Sequence, residues 1–191
     1  VAEKKVTYRF DGDLPDAVKA AKARAAKMVT EVSKETERAI RNAIATAIRN
    51  GTPPLEAAKT IRDLIGLTSA QAQAVLTFRE QLKKQGLKPD KIDKAVEKYS
   101  DRLLKERAER IARTEIMDAL NAGQQAAWEQ AQAQGLLSAN ATKEWIVTPD
   151  DLLCPECEAM DGKRVPLDED FEDGDPPLHP SCRCTMGIGA P

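Results

Sequence analysis

From about Asp13 the positions Val18, Ala21, Ala25, Met28, Val32, Thr36, Ala39, Ala43 and Ala47 recur at steps of three and four, the period of one helix face. Pro15 in the first turn and Asn50-Gly51 as a stop bound one long amphipathic helix. Thr52 caps a second helix, with Pro53 at its first position, running to about Ile65 and closed by Gly66. Thr68 or Ser69 caps a third, from Ala70 to about Gln85. Pro89 then opens a helical stretch that reads on to Gln134-Gly135, with a break expected near Tyr99-Ser100. Ahead of all this, residues 1–12 alternate loosely and read as an arm or strand.

After Gly135 the alphabet changes. Short β-prone runs, Lys143 to Thr148, Lys163 to Leu167 and Cys184 to Ile188, are separated by Pro, Gly and Asp. None is long enough to build a core. The expected fold is therefore mostly α: a long helical body over 13–138 with a small C-terminal α+β lobe over 139–191, packed on the 101–134 helix.

Composition sharpens this picture. Aromatic residues make up only 4% of the 191 residues, and alanine dominates the apolar positions, so each helix buries little area. Such helices gain from a neighbour, whether a second copy in a homo-oligomer or a partner protein. No run has the apolar length of a membrane span, and no signal-peptide pattern is present, which places synthesis in the cytosol and predicts no membrane contact. The net charge of −2 hides an asymmetry: from Asp150 onward eleven acids face three cations, a balance of −8, which leaves +6 for the rest. A basic helical body is joined to an acidic lobe.

All four cysteines and the only histidine lie in that lobe, as Cys154-Pro-Glu-Cys157 and His179-Pro-Ser-Cys182-Arg-Cys184. A Cys-x-x-Cys turn sets two thiolates on one side of a tight loop, and a second pair from a distant loop completes the tetrahedron that Zn²⁺ takes. Five candidates compete for four places. Cys154, Cys157, His179 and Cys182 are the favoured set, because His-x-x-Cys repeats the spacing of the first pair and frees Cys184 to begin the last strand. Cys184 in place of the histidine, giving four cysteines, is the nearest alternative. Two disulfides or a thioredoxin-like redox pair fit less well, since neither a secretory signal nor a βαβ pattern accompanies the motif. The site reads as structural, with enough ligands to close the shell and no second histidine to act as a base. The acidic run Asp168 to Asp175 has calcium-like spacing at its start, but Asp173 stands where the turn needs glycine; it reads as a solvated loop.

Within Arg107 to Ala131 a helical projection gathers Ala112, Ile116, Ala119, Leu120, Gly123 and Ala127 into a narrow apolar stripe. Arg113, Thr114, Asn121 and Gln124 flank it. They are expected to form a buried polar joint with the acidic lobe, Arg113 pairing with a carboxylate there, whereas Glu115 projects away. An anion or catalytic site on this flank is the alternative.

The run Arg107-Ala-Glu-Arg-Ile-Ala-Arg-Thr-Glu115, followed by Asn121, Trp128, Trp145, Asp151, Cys154-Pro-Glu-Cys157, Asp161-Gly-Lys163, Pro176-Pro177 and His179-Pro-Ser-Cys-Arg-Cys184, resembles the Mu F-like family of phage head morphogenesis proteins over roughly the last ninety residues. The resemblance implies a minor head protein of the virion, made in the host cytoplasm. Its implied partners are the portal and capsid or scaffold proteins, and its implied part is in head assembly and DNA packaging or delivery. It implies no enzyme. Two other functions compete: a toxin or nuclease-type domain carried on a head protein, and a nucleic-acid-binding zinc module. The lone histidine and the lack of a glycine-rich phosphate loop weigh against the first. A lobe at −8 repels phosphates, so any DNA contact should come from the basic body.

Overall fold

A computed structural model of the chain describes residues 19–20 and 31–189; the expected arm over 1–12 lies outside them. Helix α1 spans Lys34–Arg49 and is capped by Ser33, whose side chain accepts from the Thr36 N–H. The expectation of one helix running unbroken from Asp13 is corrected here. Lys19 and Ala20 are helical, but Glu31 has φ of 55°, a left-handed conformation that no α-helix contains. The Glu31 carboxylate accepts from Ser69 N–H and Oγ–H at 2.8 and 3.0 Å, so the break places an acid on the positive end of a later helix.

Helix α2, Pro54–Arg62, starts one residue later than expected: Pro53, not Thr52, holds the cap position, and it offers no side-chain bond. The helix also stops short of Ile65. Helix α3, Ser69–Lys84, opens on a capping box between Thr68 and Gln71. Helix α4, Pro89–Ala133, runs for 45 residues, about 67 Å at 1.5 Å per residue. The break expected near Tyr99-Ser100 does not occur. Tyr99 packs on Phe78 of α3, ring centroids 4.8 Å apart, and lies under the Arg102 guanidinium, so the doubtful turn is clamped by its neighbours.

Three apolar clusters hold these elements. Ile40 and Ile44 of α1, Ala57, Ala58 and Ile61 of α2, and Ala108, Ala112, Ile116 and Ala119 of α4 form the first. Its alanines let the backbones approach closely. Leu82, Ile92 and Val96 join α3 to the start of α4.

The third cluster overturns the expectation that the C-terminal segments cannot build a core. Strands β1 (Thr142–Ile146), β2 (Arg164–Pro166) and β3 (Thr185–Ile188) form an antiparallel sheet in the order β2-β1-β3. Lys143 and Trp145 alternate onto its buried face. Trp145 meets Phe171 edge-on at 5.2 Å, and Met160, Leu167 and Met186 close around them. Trp128 of α4 belongs to the same cluster, so the body lends the lobe a second tryptophan beside Trp145. Lys143, 1% exposed, is balanced by Asp175 at 2.8 Å.

Candidate metal centre

Cys154 is the N-cap of a single-turn helix, α5 (Pro155–Glu158), and its sulfur accepts the Cys157 N–H at 3.3 Å. Proline at the first helical position costs no hydrogen bond, so the Cys-Pro-Glu-Cys sequence folds into a turn that aims both sulfurs the same way. The second pair comes from the long connection between β2 and β3. There Ser181 has φ of 66°, and the Cys182 N–H closes back on the His179 carbonyl at 3.1 Å. That turn brings His179 and Cys182 to one side.

Cys154, Cys157 and His179 meet, and Cys182 joins them through Cys157. His179 Nε2 lies 3.2 Å from Cys154 Sγ and 3.3 Å from Cys157 Sγ, and Cys157 Sγ lies 3.6 Å from Cys182 Sγ. A tetrahedron with zinc–sulfur bonds of about 2.3 Å and zinc–nitrogen bonds of about 2.0 Å has S···S edges of about 3.75 Å and N···S edges of about 3.5 Å. The three contacts given are within a few tenths of an ångström of those edges, but Cys182 does not lie within 4.8 Å of both Cys154 and His179, so a metal ion would have to draw it in to close the shell. His179 Nδ1 is 3.0 Å from the Pro180 carbonyl; donating to it leaves the Nε2 lone pair toward the sulfurs, the arrangement that orients a histidine ligand.

The thiols are divided against one another. Cys154 is held below its ordinary range, chiefly by the Cys157 N–H. Burial opposes ionisation of Cys182, yet the Cys184 and Leu178 N–H groups carry it below the usual thiol value. Burial pushes Cys157 and Cys184 up, and the Pro180 carbonyl raises His179. Buried thiols so close cannot all ionise by themselves; a divalent cation among them removes the conflict, because it deprotonates a coordinating thiol outright. The residues fit a metal ion.

Cys184 stays in contention as a ligand by distance alone. Ligand atoms of Cys154, Cys157 and His179 lie within 4.8 Å of one another, and so do those of Cys157, Cys182 and Cys184. Cys157 is common to both groups.

The expected polar joint is assembled in three of its four members. Thr114 Oγ1 accepts the Ser181 N–H at 2.8 Å. Buried Asn121 donates to the Pro176 and Cys184 carbonyls at 3.0 and 3.3 Å and accepts from Thr185 Oγ1 at 2.8 Å. Gln124 donates to the Met186 carbonyl at 3.0 Å. Arg113 is the exception and corrects the expectation: half-buried, it makes no hydrogen bond or ion pair among the described residues, so no carboxylate of the acidic segment meets it. Glu115, expected to point away, is 1% exposed and thus buried in the body.

Three contacts escaped the sequence reading. Gln125 donates to the Leu167 carbonyl at 2.6 Å, Lys143 pairs with Asp175, and Arg183, between two cysteines, grips Asp150 with both guanidinium nitrogens. The Gln124-Gln125 pair next to the apolar stripe was the available signal for the first.

A protein-family profile described as phage Mu protein F like protein matches residues 38–187, which takes in α4, the lobe and the whole cysteine cluster. Comparison with curated proteins and with solved structures finds no match.

Proposed function

The chain belongs to the phage Mu protein F like family, and from that premise we propose that it is a non-enzymatic minor head protein of the virion. It acts at the portal or the inner capsid during head assembly and DNA packaging or delivery, and the host cytoplasm is where it is made. The observation that carries this reading is the extent of the family match, which spans both the helical body and the lobe docked on α4. Rigid docking of a small lobe on a long helix suits a part that other head proteins grip. Among the described residues no helix is long and apolar enough to cross a membrane.

The cluster holds a structural zinc ion through Cys154, Cys157, His179 and Cys182. Zinc prefers this mixed sulfur and nitrogen set in a closed tetrahedral shell. Cys184, close to Cys157 and Cys182, is the alternative fourth ligand. With the lone histidine aimed at two thiols, its imidazole is committed as a ligand and does not serve as a general base.

The test is compositional. Mass spectrometry of purified heads and of assembly intermediates should find the chain at low copy, and affinity capture from infected cells should recover the portal protein with it. Its absence from heads at every stage of assembly would overturn the proposal.

A further inference from the structure

The N-terminal half of α4 presents Lys91, Lys94, Lys98, Arg102 and Lys105, all exposed, at steps of three, four, four and three. At about 100° and 1.5 Å per residue they fall within an arc of about 80° and extend over about 21 Å. Lys91, Lys94 and Lys98 form no ion pair among the described residues. Arg102 and Lys105 reach Glu106 and Glu109 only at 3.8 Å. Of the acids beside the stripe, Asp93 is engaged by Arg79 at 2.8 Å and Asp101 by Arg62 at 3.3 Å, while exposed Asp90 and Glu97 form no ion pair among the described residues.

The side chains that hold the acidic lobe, Thr114, Asn121, Gln124 and Gln125, lie about 80° to 180° from the stripe's centre around the same axis. The two charge signs are thus segregated by direction as well as by sequence. We propose that this face of α4 is a sequence-independent binding surface for duplex nucleic acid, which it grips through the phosphates.

A duplex carries one charge per about 1.7 Å of its axis, a regular polyanion suited to a straight row of exposed cations. A folded acidic protein would be expected to bring an apolar anchor, and the stripe itself has no apolar side chain. A cleft of about 840 Å³ opens along it, walled by Lys98, Arg102 and Lys105 of the stripe together with Phe78, Ala95 and Tyr99. Its aromatic rings are already stacked, however, on each other and under Arg102. Base stacking is therefore not the mode of contact. The lobe at −8 turns away from the polyanion and so sets the orientation of the bound chain.

The test is fluorescence anisotropy of a labelled duplex of about 20 base pairs with the zinc-loaded 191-residue chain. Four or five phosphate contacts predict about a 150- to 500-fold loss of affinity between about 50 and 200 mM salt, alike for unrelated sequences. Replacing Lys91, Lys94 and Lys98 together by glutamine should cost at least about tenfold at low salt and flatten the salt slope by about 2 to 3. Replacing Lys34 and Lys59, exposed on α1 and α2, should cost far less. Equal losses in both variants would mean diffuse charge and no surface, and the proposal fails. It fails as well if wild type retains no duplex at low salt. Preference for single strands that is lost in Tyr99→Ala would point to base stacking instead. A stripe variant that changes only self-association or capture of an acidic protein would assign the face to a protein partner.

Discussion

The Ser181 N–H donates to Thr114 Oγ1 at 2.8 Å, while the same hydroxyl donates to the Arg110 carbonyl at 2.8 Å. One threonine on α4 thereby fixes the turn that presents Cys182. Ser181 itself sits at φ of 66°, a region that costs an ordinary residue about 1 kcal/mol or more. Thr114→Val keeps the shape but removes the acceptor, and should destabilise the lobe by about 1 to 2 kcal/mol. Ser181→Gly should be neutral or mildly stabilising, and Ser181→Val should be harmful, because a β-branched residue resists positive φ. Urea unfolding with zinc present measures all three. An unchanged midpoint in Ser181→Val would show that the turn does not need its conformation.

Both tryptophans of the chain, Trp128 and Trp145, are 2% exposed or less and lie in the lobe's core. Intrinsic fluorescence therefore reports the lobe alone. Chelation, or Cys157→Ser, should shift the emission to the red while the far-ultraviolet helical signal is largely kept, since the helices α1 to α4 hold no ligand. Metal analysis should return one zinc per chain before chelation and none after. If the helical signal collapses together with the fluorescence, body and lobe unfold as one cooperative unit. If neither moves, the metal does not stabilise the lobe.

The helices were legible because their signals are local: a capping residue, a proline in the first turn, an apolar residue every three or four positions. Thr68 with Gln71 is such a case. The errors came where a distant partner decides. Glu31 leaves the helix and meets Ser69, 38 positions away, and Tyr99 is steadied by Phe78 across a helix pair. The gathering of cysteines and His179 was readable from spacing alone, as two close pairs of potential ligands. The lobe's core was not, because Trp128 stands in the periodic pattern of α4 and only the fold assigns it to the sheet. Spacing does not decide between Cys182 and Cys184, because both sulfurs fold to within 4.8 Å of Cys157.

Arg183, flanked by Cys182 and Cys184, holds Asp150 and lowers its carboxyl to about 2. A carboxylate depressed in the folded state lends its stabilisation above the ordinary value of 3.8 and loses it as pH falls through about 2. Zinc leaves on acidification because thiolates and the imidazole take up protons, and at that point Asp150 is still ionised. Asp150→Asn should therefore speed zinc release at neutral pH by a small factor, since the pair is exposed, without moving the pH midpoint of release. Stopped-flow release into a colorimetric chelator across a pH series checks this. A shifted midpoint would make Asp150 part of the acid trigger.

Asn121 is the centre of the joint between α4 and the lobe, and Arg113 is not. Asn121 is 2% exposed and has three partners on the lobe side, the Pro176 and Cys184 carbonyls and the Thr185 hydroxyl. Asn121→Leu is close in size but strands all three, and unsatisfied buried groups cost about 1 to 3 kcal/mol each before relaxation. A net loss of about 2 to 4 kcal/mol is expected. Asn121→Asp should also be harmful, because a carboxylate cannot donate to either carbonyl. Arg113→Ala removes no hydrogen bond or ion pair among the described residues and should stay within about 0.5 kcal/mol of wild type. Limited proteolysis of the region after Gln134, with zinc saturating, ranks the variants: cleavage should accelerate strongly in Asn121→Leu and barely in Arg113→Ala. The reverse order would restore Arg113 as the anchor and mean that its partner lies beyond the contacts described above.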